Sequence, residues 1–301
     1  MSAWERPLGT AAGEGCDVLI DDRVEGWAHT GLRVVTLAEG VRHEMPGSGW
    51  EFVVVPLSGG VTVDVAAASG ERHTVRLDGR ESVWVGPTDV AYVPSGARLG
   101  LSGAAGTRVA VCAARTVAEL PFTYYPATGV PVEIRGAGAS TREVRNFGVP
   151  GVLEADSIIV CEVITPAGNW SSYPPHKHDE HRPGQEAELE EIYYFETRVE
   201  GGAVVEGADP VGYQRVYGTA QRPIDVFAEV RTGDVVLVPH GWHGPAMAAP
   251  GYDLYYLNVM AGPGDERDWL IRDDPGHGWV RGTWPGQEPD PRLPFGGGVR
   301  S

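Results

Sequence analysis

Lysine is all but missing from this sequence: Lys177 stands alone, and arginine supplies the remaining positive charge. Schiff-base chemistry would have to use that residue or the N-terminus. Cysteine is scarce as well. Cys16, Cys112 and Cys161 form no C-x-x-C pair and are odd in number, so neither a disulfide framework nor a zinc ribbon can be built from them. Each lies in or beside an apolar run and reads as a small buried hydrophobe; a reducing, cytoplasmic setting is expected. No stretch is long and apolar enough to span a bilayer as a helix. Met1 to Asp21 lacks the basic start and apolar run of a signal peptide, and none is expected. Basic clusters are absent too. With 24 Lys+Arg against 41 Asp+Glu the formal net charge is -17, a surface that repels phosphate backbones and anionic membranes. Neither nucleic acid nor membrane is an expected partner.

What is abundant is glycine and proline, 42 and 24 residues, set between short Val/Ile/Tyr-rich runs. That combination predicts many turns and many strands, an all-β chain long enough for two modest domains. In the first half strands are expected at 34–37, 51–57, 61–66, 73–77, 82–85, 91–93 and 108–113, with Ser58-Gly59-Gly60 read as a hairpin turn. In the second half they are expected at 157–164, 191–195, 214–217, 225–230, 234–238 and 252–259. The phrase Asp89-Val90-Ala91-Tyr92-Val93-Pro94-Ser95-Gly96 parallels Asp234-Val235-Val236-Leu237-Val238-Pro239-His240-Gly241. Each is an apolar strand ending in a Pro-x-Gly turn, an internal repeat that suggests a duplicated β-barrel. The expected division is 1–135, 150–280 and an irregular tail over 281–301, with a packed linker around residues 114–150.

Chemistry concentrates in the second half. His176 and His178 in Tyr173-Pro174-Pro175-His176-Lys177-His178 are two apart, so a strand would turn both imidazoles to one face and Lys177 to the other. Further on, Glu190-Glu191-Ile192-Tyr193 opens a strand on which Glu191 points inward and Glu190 outward. Later still, His243 follows the Pro239-His240-Gly241 turn and can swing back into the barrel. Three histidines and a glutamate form a site for one divalent ion. The absence of thiolate argues against a purely structural zinc. His181 and His240 read as loop residues. The first half has Ala97-Arg98 after its own Pro-x-Gly turn, so no metal is expected there.

These residues resemble the cupin superfamily, whose motifs are His-x-His followed by Glu, and Gly, a strand, Pro-x-Gly, then His. Here the gap between His178 and Glu191 is longer than in that motif, and one residue separates Gly241 from His243. Longer phrases are similar to the 5-deoxy-glucuronate isomerases of inositol catabolism: Ser171 to Asp179, Leu189 to Tyr194, Pro250 to Gly262 and Asp273-Asp274-Pro275. The resemblance implies two tandem cupin jelly-roll barrels. It also implies a metal-dependent aldose–ketose isomerisation of 5-deoxy-D-glucuronate to 5-dehydro-2-deoxy-D-gluconate. Zinc is the expected ion, with manganese, nickel or iron as alternatives, and a small sugar acid is the expected partner, in a chain that could form a homo-oligomer. Glu190, Asp253 and Tyr255 are candidates for the proton-transferring base. Arg182 is the first candidate to hold the substrate carboxylate and Arg272 the second, because guanidinium pairs bidentately with carboxylates. Competing readings are a uronate ketol-isomerase of pectin breakdown, an iron-dependent cupin dioxygenase and a non-catalytic sugar-binding cupin.

Overall fold

A computed structural model describes residues 2–295 of the chain. Strands dominate, and the helical segments among the described residues are short 3-10 turns such as Gly278–Thr283. One sheet serves the second half. Its order is Glu5–Arg6, Val235–Val238, Glu190–Val199, Tyr252–Ala261, Ile159–Thr165, Arg142–Gly148, Val132–Arg135. A smaller sheet closes over it, in the order Asp225–Val230, Gly212–Tyr217, Trp242–Ala248, His176–Lys177, Arg272–Asp273. The first half is built around the long strand Trp50–Ala66, flanked by Val90–Val93 and Arg108–Arg115 at its start and by Arg72–Arg80 and Arg98–Gly103 at its end. These curled sheets are two tandem cupin barrels.

Alternation along the central strands explains how the halves are joined. Phe52 and Val54 point into the first barrel, while Val53, Val55 and Leu57 point the other way. In the second half Tyr193 and Phe195 fill the barrel, while Ile192 and Tyr194 face outward. The outward sets meet in a third core between the barrels, which also holds Leu32, Tyr92, Leu237 and Leu257. The runs therefore read as continuously apolar because both faces are buried.

Three expectations are corrected. Ser58-Gly59-Gly60 is no hairpin: Trp50–Ala66 runs straight through it, with register shifts at Pro56/Ser58 and Gly59/Val61. Gly59, at φ +76°, supplies a bulge that lets one strand pass from one sheet to the next, and a bulge and a turn use the same residue. Val83–Val85 is a 3-10 turn rather than a strand, capped by the Ser82 hydroxyl, which accepts from the Trp84 N–H. Sheet membership also ignores the boundary at 135. Val132–Arg135 pairs with Arg142–Gly148 in the second sheet, and Glu5–Arg6 pairs with Val235–Val238 there. The tail, as far as it is described, lies against the second barrel. Arg292 donates to the Ala167 carbonyl at 3.0 Å and to Glu200 at 2.6 Å, and the Asn169 amide donates to Asp290 at 3.0 Å. Residues 296–301 of the expected tail lie outside the described residues.

Candidate metal centre

His176 and His243 face each other as register partners on adjacent strands of the smaller sheet, and Glu191 approaches from the larger sheet. The His243 ring centre lies 4.5 Å from that of His176 and 4.6 Å from that of His178. One nitrogen from each of the three histidines falls within 4.8 Å of the others. Glu191 Oε2 sits 3.1 Å from Nε2 of both His178 and His243. Lys177 points away, into a separate buried network where it donates to Glu186 at 2.8 Å, Glu180 at 3.0 Å and Asp179.

The outer contacts decide which nitrogens face the centre. Nδ1 of His178 lies 3.1 Å from the Leu189 carbonyl, that of His243 3.2 Å from the Gly241 carbonyl, and that of His176 3.4 Å from the Pro174 carbonyl. A carbonyl only accepts, so each Nδ1 carries the proton and each Nε2 offers a lone pair inward. Among the described residues His243 Nε2 is buried with no hydrogen-bond partner apart from its 3.1 Å approach to Glu191 Oε2. Burial and the neighbouring rings of His243 and His178 push His176 well below its ordinary pKa, which holds it neutral. The half-buried His176, the buried His178 and His243 and the Glu191 carboxylate thus converge on one point. That donor set fits one divalent ion of the zinc, manganese, iron or nickel kind.

The centre opens into a cavity of about 490 Å³ whose lining includes His176, Glu191, Ser172, Tyr193, Tyr256 and Asn258. The Ser172 hydroxyl lies 3.2 Å from those of both Tyr193 and Tyr256. Burial pushes Tyr256 up to about 12 and Tyr193 well above its usual value, so both stay protonated donors at neutral pH.

None of the base candidates read from the sequence is brought to this cavity. Glu190 accepts from the backbone N–H of Ala28, His29 and Thr30, at 3.1, 2.7 and 2.6 Å, and from the Thr30 hydroxyl at 2.9 Å. Asp253 accepts from Ala167 N at 3.1 Å and from Arg198 Nε at 2.9 Å. The Tyr255 hydroxyl donates to Glu162 at 2.8 Å inside the core between the barrels. The two arginines are placed elsewhere too. Arg182 is exposed, donates to Glu180 at 2.8 Å and borders a different cavity of about 560 Å³. Arg272 is exposed on the strand beside Lys177 and lines neither cavity.

What the sequence reading missed is the far wall, formed by Glu133, Arg135, Arg142, Trp269, Arg281 and Trp284. All but Trp269, which falls late in the expected second domain, come from the segments taken as linker and tail, and no motif marks them.

A model of the KduI/IolB family matches residues 5–280. A 5-deoxy-glucuronate isomerase from Geobacillus thermodenitrificans (strain NG80-2) is 40% identical over 267 residues, covering 89% of this chain and 92% of that relative. The crystal structure of an IolB-like protein from Salmonella typhimurium LT2 superposes with a TM-score of 0.80 at 33% identity, covering 92% of this chain and 98% of that one. An oxalate decarboxylase from Lactobacillus farciminis, solved as a formate complex, shares the fold at a TM-score of 0.62 and 11% identity, covering 91% and 89%.

Proposed function

The chain belongs to the KduI/IolB family, and from that premise we propose that it is a 5-deoxy-glucuronate isomerase, converting 5-deoxy-D-glucuronate to 5-dehydro-2-deoxy-D-gluconate. The observation that carries the reading is the convergence of three inward Nε2 lone pairs and the Glu191 carboxylate at the end of a hydroxyl-lined cavity. His176, His178, Glu191 and His243 would hold the ion, and zinc is the first choice for an imidazole-rich set with one carboxylate. When bound, a divalent ion supplies Lewis-acid polarisation of the substrate's carbonyl and hydroxyl oxygens.

The isomerisation takes a proton from C2 and returns one to C1, while the hydroxyl proton on O2 moves to O1. The chain's residues have three tasks in it. Protonated Tyr193 and Tyr256, joined through Ser172, donate hydrogen bonds to sugar oxygens and hold the chain extended. Glu133 is the one carboxylate in the cavity lining besides Glu191, and we assign it the carbon-bound proton in place of Glu190, Asp253 and Tyr255. Val144, Val163 and Trp269 give the cavity an apolar side. Buried, unpaired Cys16, Cys112 and Cys161 fit a reducing, cytoplasmic setting.

The test is to incubate zinc-loaded protein with 5-deoxy-D-glucuronate in deuterated water and follow ketose formation by NMR. Ketose carrying deuterium at the former C1 is expected. A fully metal-loaded, folded preparation that forms no ketose would overturn the reading. Glu133→Gln should lower kcat by about a hundredfold with metal content unchanged.

A further inference from the structure

Three guanidinium groups line the cavity that opens from the metal centre, those of Arg135, Arg142 and Arg281. Two of them are already neutralised. Arg135 lies 2.8 Å from Glu133 and Arg281 donates to Asp273 at 2.8 Å. Arg142 differs. It is 8% exposed, and among the described residues its contacts are a 3.1 Å hydrogen bond to the Ser140 carbonyl and the Trp284 ring 5.9 Å away. Among the described residues no carboxylate forms an ion pair with it; Glu133 acts on its charge but is paired with Arg135. Burying a charge without a counter-charge is strongly unfavourable, and proteins keep such an arrangement mainly where a ligand completes it.

A second group in the same cavity also lacks its partner. Asn258 is 3% exposed, lines the cavity, and its side-chain Nδ2 is buried with no hydrogen-bond acceptor. An unfilled amide donor and an unfilled guanidinium lining one cavity call for an acceptor-only, anionic group. Tyr256 stands between the two functions of the cavity. Its hydroxyl joins the Ser172–Tyr193 cluster beside the metal centre, and it lines the same cavity as Arg142.

We propose that Arg142, supported by Asn258 and the Tyr256 hydroxyl, is the receptor for the substrate's carboxylate, binding the sugar acid by the end opposite its reacting carbons. This rests on the isomerase reading and assigns to Arg142 the task first given to Arg182 and Arg272. The electrostatics agree. Burial chiefly, and then the nearby Arg135 and Arg281, push Arg142 down to about 10, which still leaves it charged at neutral pH. In a chain with a formal net charge of -17, such a local patch is what admits an anionic substrate. The geometry also sets specificity. A neutral sugar would leave the guanidinium and the amide unfilled, so discrimination comes from the cost of burying them unpaired.

The experiment compares Arg142→Gln and Arg142→Lys with the parent protein, using 5-deoxy-D-glucuronate and the analogue whose carboxylate is reduced to a hydroxymethyl group. Arg142→Gln should raise KM for the acid by at least about tenfold, change kcat less, and leave KM for the neutral analogue within about twofold. Zinc content should be unchanged. Arg142→Lys, which keeps the charge but not the fork, should fall between and guards against a loss of folding in the glutamine variant. An equal rise for both substrates, or none for the acid, overturns the proposal. A binding arm separates it from the isomerase reading: D-glucuronate titrated by calorimetry should bind the parent protein and bind Arg142→Gln at least about tenfold more weakly, whatever the turnover. Failure of the parent to isomerise 5-deoxy-D-glucuronate while that difference holds would sink the activity and keep the anion site. Equal binding to both proteins would sink the anion site.

Discussion

Glu190 and Glu191 are neighbours on one strand and do opposite things. Alternation sends Glu191 into the barrel to meet His178 and His243, and sends Glu190 toward the other half, where it gathers four donors from residues 28–30. Glu51 mirrors it in the first barrel, accepting from the backbone N–H of Asp156, Ser157 and Ile158 and from the Tyr92 hydroxyl. Each glutamate thus caps the segment that enters the other half's sheet, and this pair is the repeat expressed as chemistry. Glu190→Gln should cost about 2 kcal/mol in urea unfolding, as expected for weakened hydrogen bonds to a buried charge, with zinc content and kcat unchanged. Glu191→Gln and His243→Ala should instead lose the divalent ion, read by metal analysis, together with turnover. A Glu190→Gln protein that is fully stable but inactive would return that residue to the active site.

At the level of elements, the bulge at Gly59 and the tail carry the predictions. Gly59 takes φ +76°, and a Cβ there would meet Thr107 Oγ1 at 2.7 Å. Gly59→Ala should therefore destabilise the first barrel by roughly 1–2 kcal/mol from the left-handed backbone alone, seen as a lower urea midpoint with an unchanged slope. In the tail, hydrogen bonds from Arg292 outweigh burial and hold the Asp290 carboxyl at about 2, below the ordinary aspartate value. A depressed carboxylate contributes stability above its unfolded pKa and loses it as pH falls through the folded one. The tail should therefore loosen between about pH 4 and about pH 2, measured as faster amide exchange over residues 286–293. Arg292→Ala should produce the same loosening already at neutral pH. A tail that exchanges identically at both pH values would contradict the clamp.

For the whole molecule, the core between the barrels governs what can be separated. Val53, Val55, Tyr92, Ile192, Tyr194 and Leu257 are buried only because the two outward faces meet, and a buried ion pair of Arg80 with Glu162 crosses the same junction. A fragment starting at Val132 would expose that face and lose the strand Glu5–Arg6. It should be recovered as an aggregate when expressed alone and become soluble, with zinc bound, when coexpressed with residues 1–131. A monomeric, zinc-binding fragment on its own would show that the first barrel is dispensable for the site.

Local pattern alone determined the strand-rich plan, the duplication and the four converging side chains, because alternation and His-x-His spacing act over a few residues. It also determined that Lys177 turns away from the histidines. Tertiary structure decided whether Gly59 made a turn or a bulge, since a glycine at positive φ serves either. It decided that Glu190, Asp253 and Tyr255 bind backbone or core partners, because their acceptors and donors lie up to 162 residues away in sequence. It placed Arg142 rather than Arg182 at the cavity for the same reason: a strand read as linker folds back as the next neighbour of Ile159–Thr165, and only that pairing makes its side chain part of the wall.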